Sequence, residues 1–99
     1  MSEDIPTPTD DLDVRRKRAA YRANYRGTKE MDWLMGKFAE ARLSRMDDTE
    51  LSDFERLLVL PDPDLHTWIL DPSIVGDSEL APLIRAIHNF HGLSAKGLA

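Results

Sequence analysis

The apolar residues between positions 31 and 39 recur at helical spacing, which restricts the fold more than any other feature of the sequence. They fall at positions i, i+3, i+4, i+7 and i+8, so they share one face of a helix that we expect from about residue 29 to residue 46. Gly36 lowers the stability of this helix by about 1 kcal/mol relative to alanine but permits a close helix crossing. Trp33 lies roughly opposite the apolar face, as a contact residue or as cover for a neighbouring helix end. The apolar face consists of Met31, Leu34, Met35, Phe38 and Ala39.

Capping residues and helical spacing predict one helix before this segment and another after it. Thr9 or Asp10 can cap a first helix that runs to about residue 25. Acidic residues at positions 47 and 48 form the turn and cap of a third helix, which Pro61 ends. The apolar face of the third helix consists of Leu51, Phe54, Leu57 and Leu58.

Two shorter helices follow. The fourth has Asp62 as its N-cap and Pro63 at its first helical position, and it ends before Pro72. The fifth is capped by Ser78 and stopped by Gly92. The residues expected to face inward are Leu65, Trp68 and Ile69 in the fourth helix and Leu80, Leu83, Ile84, Ile87 and His91 in the fifth.

No stretch alternates apolar and polar residues for long enough to predict a strand. We therefore expect an all-α fold, a small single-domain five-helix bundle, since 99 residues suffice for one core. In this prediction residues 10–92 form the domain, residues 1–9 form a flexible acidic tail and residues 93–99 form a frayed C-terminus.

The composition excludes several functions. The chain contains no cysteine, so disulfides, thiolate catalysis and cysteine-bound zinc are ruled out. The N-terminal sequence is acidic and spaced by prolines, unlike a signal peptide or an Arg-rich transit peptide. No apolar run approaches the length of a membrane-spanning helix. We expect a cytoplasmic bacterial protein with no membrane insertion.

Basic residues are concentrated in one part of the chain. Residues 15–45 contain ten of the thirteen Lys and Arg but three of the eighteen Asp and Glu, which leaves +7 there and −12 elsewhere. Such a distribution is typical of a face that meets an acidic or polar partner, and it is also compatible with a solvated basic helix face. Along the first helix, Arg15, Arg22 and Arg26 form a stripe with Arg18 beside it.

Two tyrosines and a glycine lie next to this basic stripe. Tyr21 and Tyr25 share helical spacing with Val14, so we expect their rings to be buried and their hydroxyl groups to lie near the arginines. Gly27 follows directly and allows close approach of another chain. Two interpretations remain open here. Residues 25–30 are either a helix break with an exposed Arg26–Glu30 pair or the contact tip of a binding surface.

No catalytic constellation stands out. His88 and His91 are three residues apart on one helix, but they lack a cysteine or an assigned carboxylate to complete a metal site. His66 is expected at the surface. The sequence contains no nucleophile elbow and no Gly-rich phosphate loop. We expect a binding protein rather than an enzyme, with no metal, and the alternative is a nucleic-acid-associated or regulatory module that uses the basic first helix.

Two motifs follow one another in the chain. The first is R-G-x-x-E, formed by Arg26, Gly27 and Glu30. The second is a leucine-rich helix that leads into D-P-D-L and a tryptophan, formed by Leu57, Leu58, Asp62, Pro63, Asp64, Leu65 and Trp68. In this order the two motifs resemble those of the SdhE-type succinate dehydrogenase assembly factors, the flavinylation factors, and the resemblance covers residues 14–91.

The resemblance implies a helical assembly factor that acts on another protein. Family members bind the flavoprotein subunit of succinate dehydrogenase, and in some bacteria that of fumarate reductase, and promote covalent attachment of FAD to a histidine of that subunit. FAD then belongs to the partner, and we expect a monomer that binds no cofactor itself and no nucleic acid. In this interpretation Arg26, Gly27 and Glu30 form the contact tip. The surrounding rim consists of Arg15, Arg18, Arg22, Tyr21 and Tyr25.

Overall fold

Five α-helices make up most of residues 8–92, the part of the chain that the computed structural model describes. These residues contain no strand, so the predicted all-α fold is confirmed. Short 3₁₀ turns follow the second helix at Leu43–Arg45 and the fourth at Pro72–Val75. No helix in this part of the chain has both the length and the hydropathy needed to span a membrane. The helices are α1 Pro8–Asn24, α2 Lys29–Arg42, α3 Asp48–Leu58, α4 Asp62–Leu70 and α5 Ala81–Phe90.

The core is built around α2. Its entire predicted apolar face is buried, because the helix packs against α1, α5 and the 3₁₀ turn that follows it. The ring of Phe38 lies 6.0 Å from that of Phe54 on α3, which joins the two helices at the centre of the core. Fully burying a side chain of this size stabilises the fold by about 1.5–3 kcal/mol. The other large side chains that are fully buried are Leu34, Met35, Leu51, Leu57, Leu65, Ile69, Ile84 and Ile87.

The buried face of α1 is not the predicted one. Ala19 and Ala23 are buried, whereas Tyr21 and Tyr25 are 66% and 68% exposed, so the expected burial of the tyrosine rings is wrong. The physical reason is the close crossing that Gly36 permits. A Cβ atom added at Gly36 would lie 2.4 Å from the side-chain oxygen of Asn24 at the end of α1. Such an approach requires small side chains on α1, and at about 100° per residue the tyrosines point away from α2.

The helix boundaries differ from the predictions in specific places. Helix α1 begins at Pro8, two residues before the expected domain boundary, so Thr9 and Asp10 lie inside the helix and not at its N-cap position. The rest of the predicted tail and the predicted frayed C-terminus lie outside the described residues. Helix α4 has Pro61 at its N-cap position and Asp62 inside its first turn, so Asp62 is not the cap. Helix α5 begins at Ala81 with Leu80 at its N-cap position, so Ser78 is not the cap. The hydroxyl and carbonyl oxygens of Ser78 nevertheless accept hydrogen bonds from the backbone N–H groups of Leu80 and Ala81.

Two histidines at the C-terminal end of α5 connect it to other helices, His88 from within the helix and His91 from its C-cap position. A ring nitrogen of His88 lies 2.6 Å from the carbonyl oxygen of Ile69 on α4, and one of His91 lies 2.8 Å from that of Leu34 on α2. A neutral or charged imidazole donates its N–H to such a carbonyl. The ring of Trp33 lies 4.3 Å from that of His91, so this tryptophan covers the end of α5. These histidines therefore serve helix packing.

Candidate protein-binding site

The α1–α2 corner, residues 25–30, places a glycine at the protein surface. Gly27 has φ +112°, a value that side-chain-bearing residues rarely adopt, and nothing lies within 4 Å of the position that a Cβ atom would take. Thr28 then begins α2 as its N-cap, since its hydroxyl group accepts a hydrogen bond from the Met31 N–H at 3.2 Å. The corner thus exposes backbone that another chain can approach without a side chain in between.

Arg26 holds this corner against the loop between α3 and α4. Its guanidinium group donates to the Asp62 carboxylate at 2.7–2.9 Å and to the carbonyl oxygens of Leu58 and Leu60 at 2.6 and 3.0 Å. Leu58 is the last residue of α3 and Leu60 lies just beyond it, where carbonyl oxygens lack helical partners. The Arg26 side chain is 9% exposed as a result. Arg26 therefore pairs with Asp62 and not with Glu30, which corrects the Arg26–Glu30 pair suggested by the sequence.

Glu30 pairs with a residue of α4 as well. Its carboxylate lies 2.9 Å from Nε2 of His66 and is 62% exposed. His66 and Asp62 are four residues apart, so they lie one turn apart on the same side of α4. One side of α4 therefore holds both charged residues of the Arg-Gly-x-x-Glu motif. The sequence predicts Asp62 as a helix cap and His66 as a surface residue, but it gives no prediction that they contact Arg26 and Glu30.

The basic stripe divides into two groups. Arg15 donates to Glu55 at 2.8 and 3.2 Å and pairs with Asp48, so it fastens α1 to α3. Hydrogen bonds raise the pKa of the Arg15 guanidinium, with a larger contribution from Glu55 than from Asp48. By contrast, Arg18 and Arg22 are exposed and form no ion pair within the described part of the chain. The free positive charge on this face therefore lies at Arg18 and Arg22.

Arg16, which the sequence did not single out, has a structural role. It donates to the carbonyl oxygens of Leu43 and Met46 at 3.1 and 2.8 Å, where α2 and its 3₁₀ turn end. Arg15 faces α3 and Arg16 faces the 3₁₀ turn after α2, and the sequence gives no local signal of this difference, because these acceptors are distant in the chain.

A shallow groove adjoins the corner. Its volume is about 260 Å³, and Leu58 contributes an apolar wall. The rings of Tyr21 and Tyr25 contact each other in a tilted arrangement, with centroids 4.6 Å apart and an angle of 36° between their planes. Exposed tyrosine rings beside the free guanidinium group of Arg22 suit contact with a protein segment that carries both apolar and acidic side chains. The groove is lined by Tyr21, Arg22, Tyr25, Arg26 and Leu58.

The described residues thus bring most of the sequence-predicted site together. The groove and the exposed glycine meet at Arg26. Arg18 lies on α1 one helical turn before Arg22, which lines the groove. Arg15 lies on the side of α1 that faces α3. No group of three or more potential metal ligands occurs among the residues that the structure describes. A larger groove of about 620 Å³ lies at the other end of α2, between Arg42, Arg45 and α5.

Comparison with known proteins finds one matching family and several related proteins. Residues 17–91 match the model of a protein family described as flavinator of succinate dehydrogenase. A protein of Acetobacter pasteurianus named FAD assembly factor SdhE is 41% identical over 76 residues, which are 77% of this chain and 70% of that protein.

Mitochondrial proteins named succinate dehydrogenase assembly factor 2 are also similar. The one from Dictyostelium discoideum is 29% identical over 79 residues, 80% of this chain and 56% of that protein. The one from Debaryomyces hansenii is 36% identical over 66 residues, 67% of this chain and 46% of that protein. The chain therefore spans about half the length of these mitochondrial relatives. No solved structure matches it.

Proposed function

This chain belongs to the family of succinate dehydrogenase flavinators, and we propose that it binds the flavoprotein subunit of succinate dehydrogenase and promotes covalent attachment of FAD to a histidine of that subunit. It is an assembly factor in this proposal, and the FAD and the reacting histidine belong to the partner. The family match over residues 17–91 carries the proposal. The flavoprotein subunit of fumarate reductase is a second proposed client, and the bacterial cytoplasm is the proposed location of a monomeric factor.

The α1–α2 corner is the proposed contact surface. Gly27 offers exposed backbone, and the Glu30 carboxylate has room to accept hydrogen bonds from partner donors. Aromatic rings beside the corner supply rigid apolar contact area at low entropic cost. The internal hydrogen bonds of Arg26 support a role in shaping the corner, with partner contact confined to its exposed edge. The proposed contact residues are Tyr21, Arg22, Tyr25, Arg26, Gly27 and Glu30.

The free cations on α1 steer association in this proposal. Arg18 and Arg22 are exposed, and long-range attraction to an acidic partner surface raises the association rate more than the final affinity. Arg15 contributes to the same field, although its guanidinium is held by α3.

The proposed mechanism is positioning. Binding that favours one arrangement of the partner's domains brings its flavin and histidine into line, and correct alignment alone can accelerate a reaction by several orders of magnitude. This chain supplies the surface whose contacts are complete only in that arrangement. It contributes no nucleophile, acid or base to the bond that forms.

The structure gives little support to the nucleic-acid alternative. Arg15, Arg16 and Arg26 all donate to acceptors within the fold, which reduces the number of cations available for phosphate contacts. The rest of the chain is strongly acidic and would repel a nucleic acid.

Binding of purified proteins tests the proposal. We expect the wild-type chain to form a complex with the purified flavoprotein subunit of succinate dehydrogenase, measured by isothermal titration calorimetry. Arg22→Glu should weaken the complex by about tenfold or more, since it places a like charge against an acidic partner. Arg45→Glu is the matched control, because Arg45 is exposed at the other end of α2. Wild-type binding to duplex DNA or RNA, without binding to the flavoprotein, would favour the alternative.

A further inference from the structure

We propose that His66 is a positioning residue for Glu30. In this inference, which rests on the proposed function, the His66 ring fixes one oxygen of the Glu30 carboxylate and turns the other toward the partner. His66 acts through Glu30 and not by itself.

The geometry of the pair supports this role. A carboxylate only accepts hydrogen bonds, so at 2.9 Å the Nε2 atom of His66 must donate its N–H to Oε2 of Glu30. The second carboxylate oxygen, Oε1, then remains available. The His66 ring is partly covered and the Glu30 side chain is mostly exposed, so a partner can reach this carboxylate from the solvent.

The origin of the pair also favours positioning. Glu30 lies in the first turn of α2, where a negative charge is favourable, and α4 approaches it from 36 residues away. One turn earlier on α4, Asp62 holds Arg26. The two contacts fix the corner at both ends of the motif, with the exposed Gly27 between them. A glutamate without such a partner samples several rotamers and loses that freedom only on binding, which weakens the complex.

A folding role for the pair is small. Both side chains are at least one-third exposed, and exposed ion pairs contribute little to stability. Substitutions at His66 can therefore separate a functional effect from a folding effect.

The test measures the initial rate of covalent flavin formation on the purified flavoprotein subunit, with FAD present, over a range of concentrations of the full chain. We expect His66→Leu to raise the concentration that gives half of the maximal rate by about two- to tenfold, the range for one side chain left unordered before binding. The maximal rate should not change. His66→Gln should restore the wild-type concentration, since its amide can donate to the same oxygen.

A double-mutant comparison isolates the path through Glu30. In a Glu30→Ala background we expect His66→Leu to have little further effect, because the side-chain oxygens that His66 positions are absent. Asp64→Asn is the matched control, as Asp64 is exposed on the same helix, and all variants should melt near the wild-type temperature.

Three results would overturn the inference while leaving the proposed function intact. The first is that His66→Leu gives half of the maximal rate at the wild-type concentration. The second is that His66→Gln does not restore that concentration. The third is that His66→Leu raises it equally in the wild-type and Glu30-substituted backgrounds. Absence of any stimulation by the wild-type chain would instead overturn the proposed function and this inference with it.

Discussion

Replacing Asp62 by asparagine should weaken the attachment of the α1–α2 corner to the rest of the fold. The pair is partly buried, with the Arg26 side chain 9% exposed and that of Asp62 24% exposed. Removing one partner of a fully buried pair costs about 3–5 kcal/mol, and an exposed pair contributes about 0–1 kcal/mol. The carbonyl oxygens of Leu58 and Leu60 still accept from Arg26 in the variant, which limits the loss. We therefore expect the free energy of unfolding to fall by about 2 kcal/mol.

Urea denaturation followed by circular dichroism measures this loss. A domain of this size unfolds with a slope near the lower end of about 1–3 kcal/mol/M, so the midpoint should fall by about 1–2 M. Asp64→Asn removes the same charge from the same first turn of α4, and Asp64 is exposed, so its midpoint should change by less than about 0.5 M. Coincident midpoints for the two variants would refute the conclusion that Asp62 holds Arg26 in place.

Two further substitutions distinguish structural from binding residues. Gly27→Arg should cost about 1–2 kcal/mol of stability because of the positive φ, yet leave a folded chain that no longer binds the flavoprotein subunit in calorimetry; wild-type affinity would refute a contact at Gly27. Arg15→Gln should lower the free energy of unfolding by about 1 kcal/mol in urea denaturation, because the ion pairs of Arg15 with α3 are lost. Arg18→Gln should leave the free energy of unfolding unchanged. Arg18→Gln should instead slow association at low salt, measured by stopped flow, and equal rates at low and high salt for the wild-type chain would contradict electrostatic steering.

The helices that form the core could be predicted from the sequence because their signals are local. Met31 and Phe38 lie on the predicted face of α2, and Phe54 lies on that of α3, all with their side chains buried. Spacing along a helix alone determines which residues share a face, so no knowledge of the partner helix is required.

The packing face of α1 could not be predicted in the same way. Large apolar and aromatic side chains suggested a buried face with Tyr21 and Tyr25, but α1 buries Ala19 and Ala23 instead. The decision depends on Gly36 in another helix, which brings α1 so close that only small side chains fit. Gly36 was the available signal, since a glycine inside a helix often marks a close crossing.

The partners of the motif residues were also beyond a local argument. Spacing of four residues favoured an Arg26–Glu30 pair, although Arg26 lies outside either helix and the spacing rule applies within one. The acceptors that Arg26 uses belong to the end of α3 and the start of α4, 32–36 residues away. Unpaired carbonyls at the end of α3 and the acidic start of α4 were the signals that could have identified them.

Covalent flavin on the partner tests the central claim most directly. Purified flavoprotein subunit with free FAD should be incubated with and without the chain, denatured, separated by gel electrophoresis and examined for flavin fluorescence. We expect the wild-type chain and the Arg45→Glu control to increase the fluorescence of the subunit band, and Gly27→Arg to leave it at the level without the chain. Equal fluorescence with and without the wild-type chain would contradict the proposed role in flavinylation.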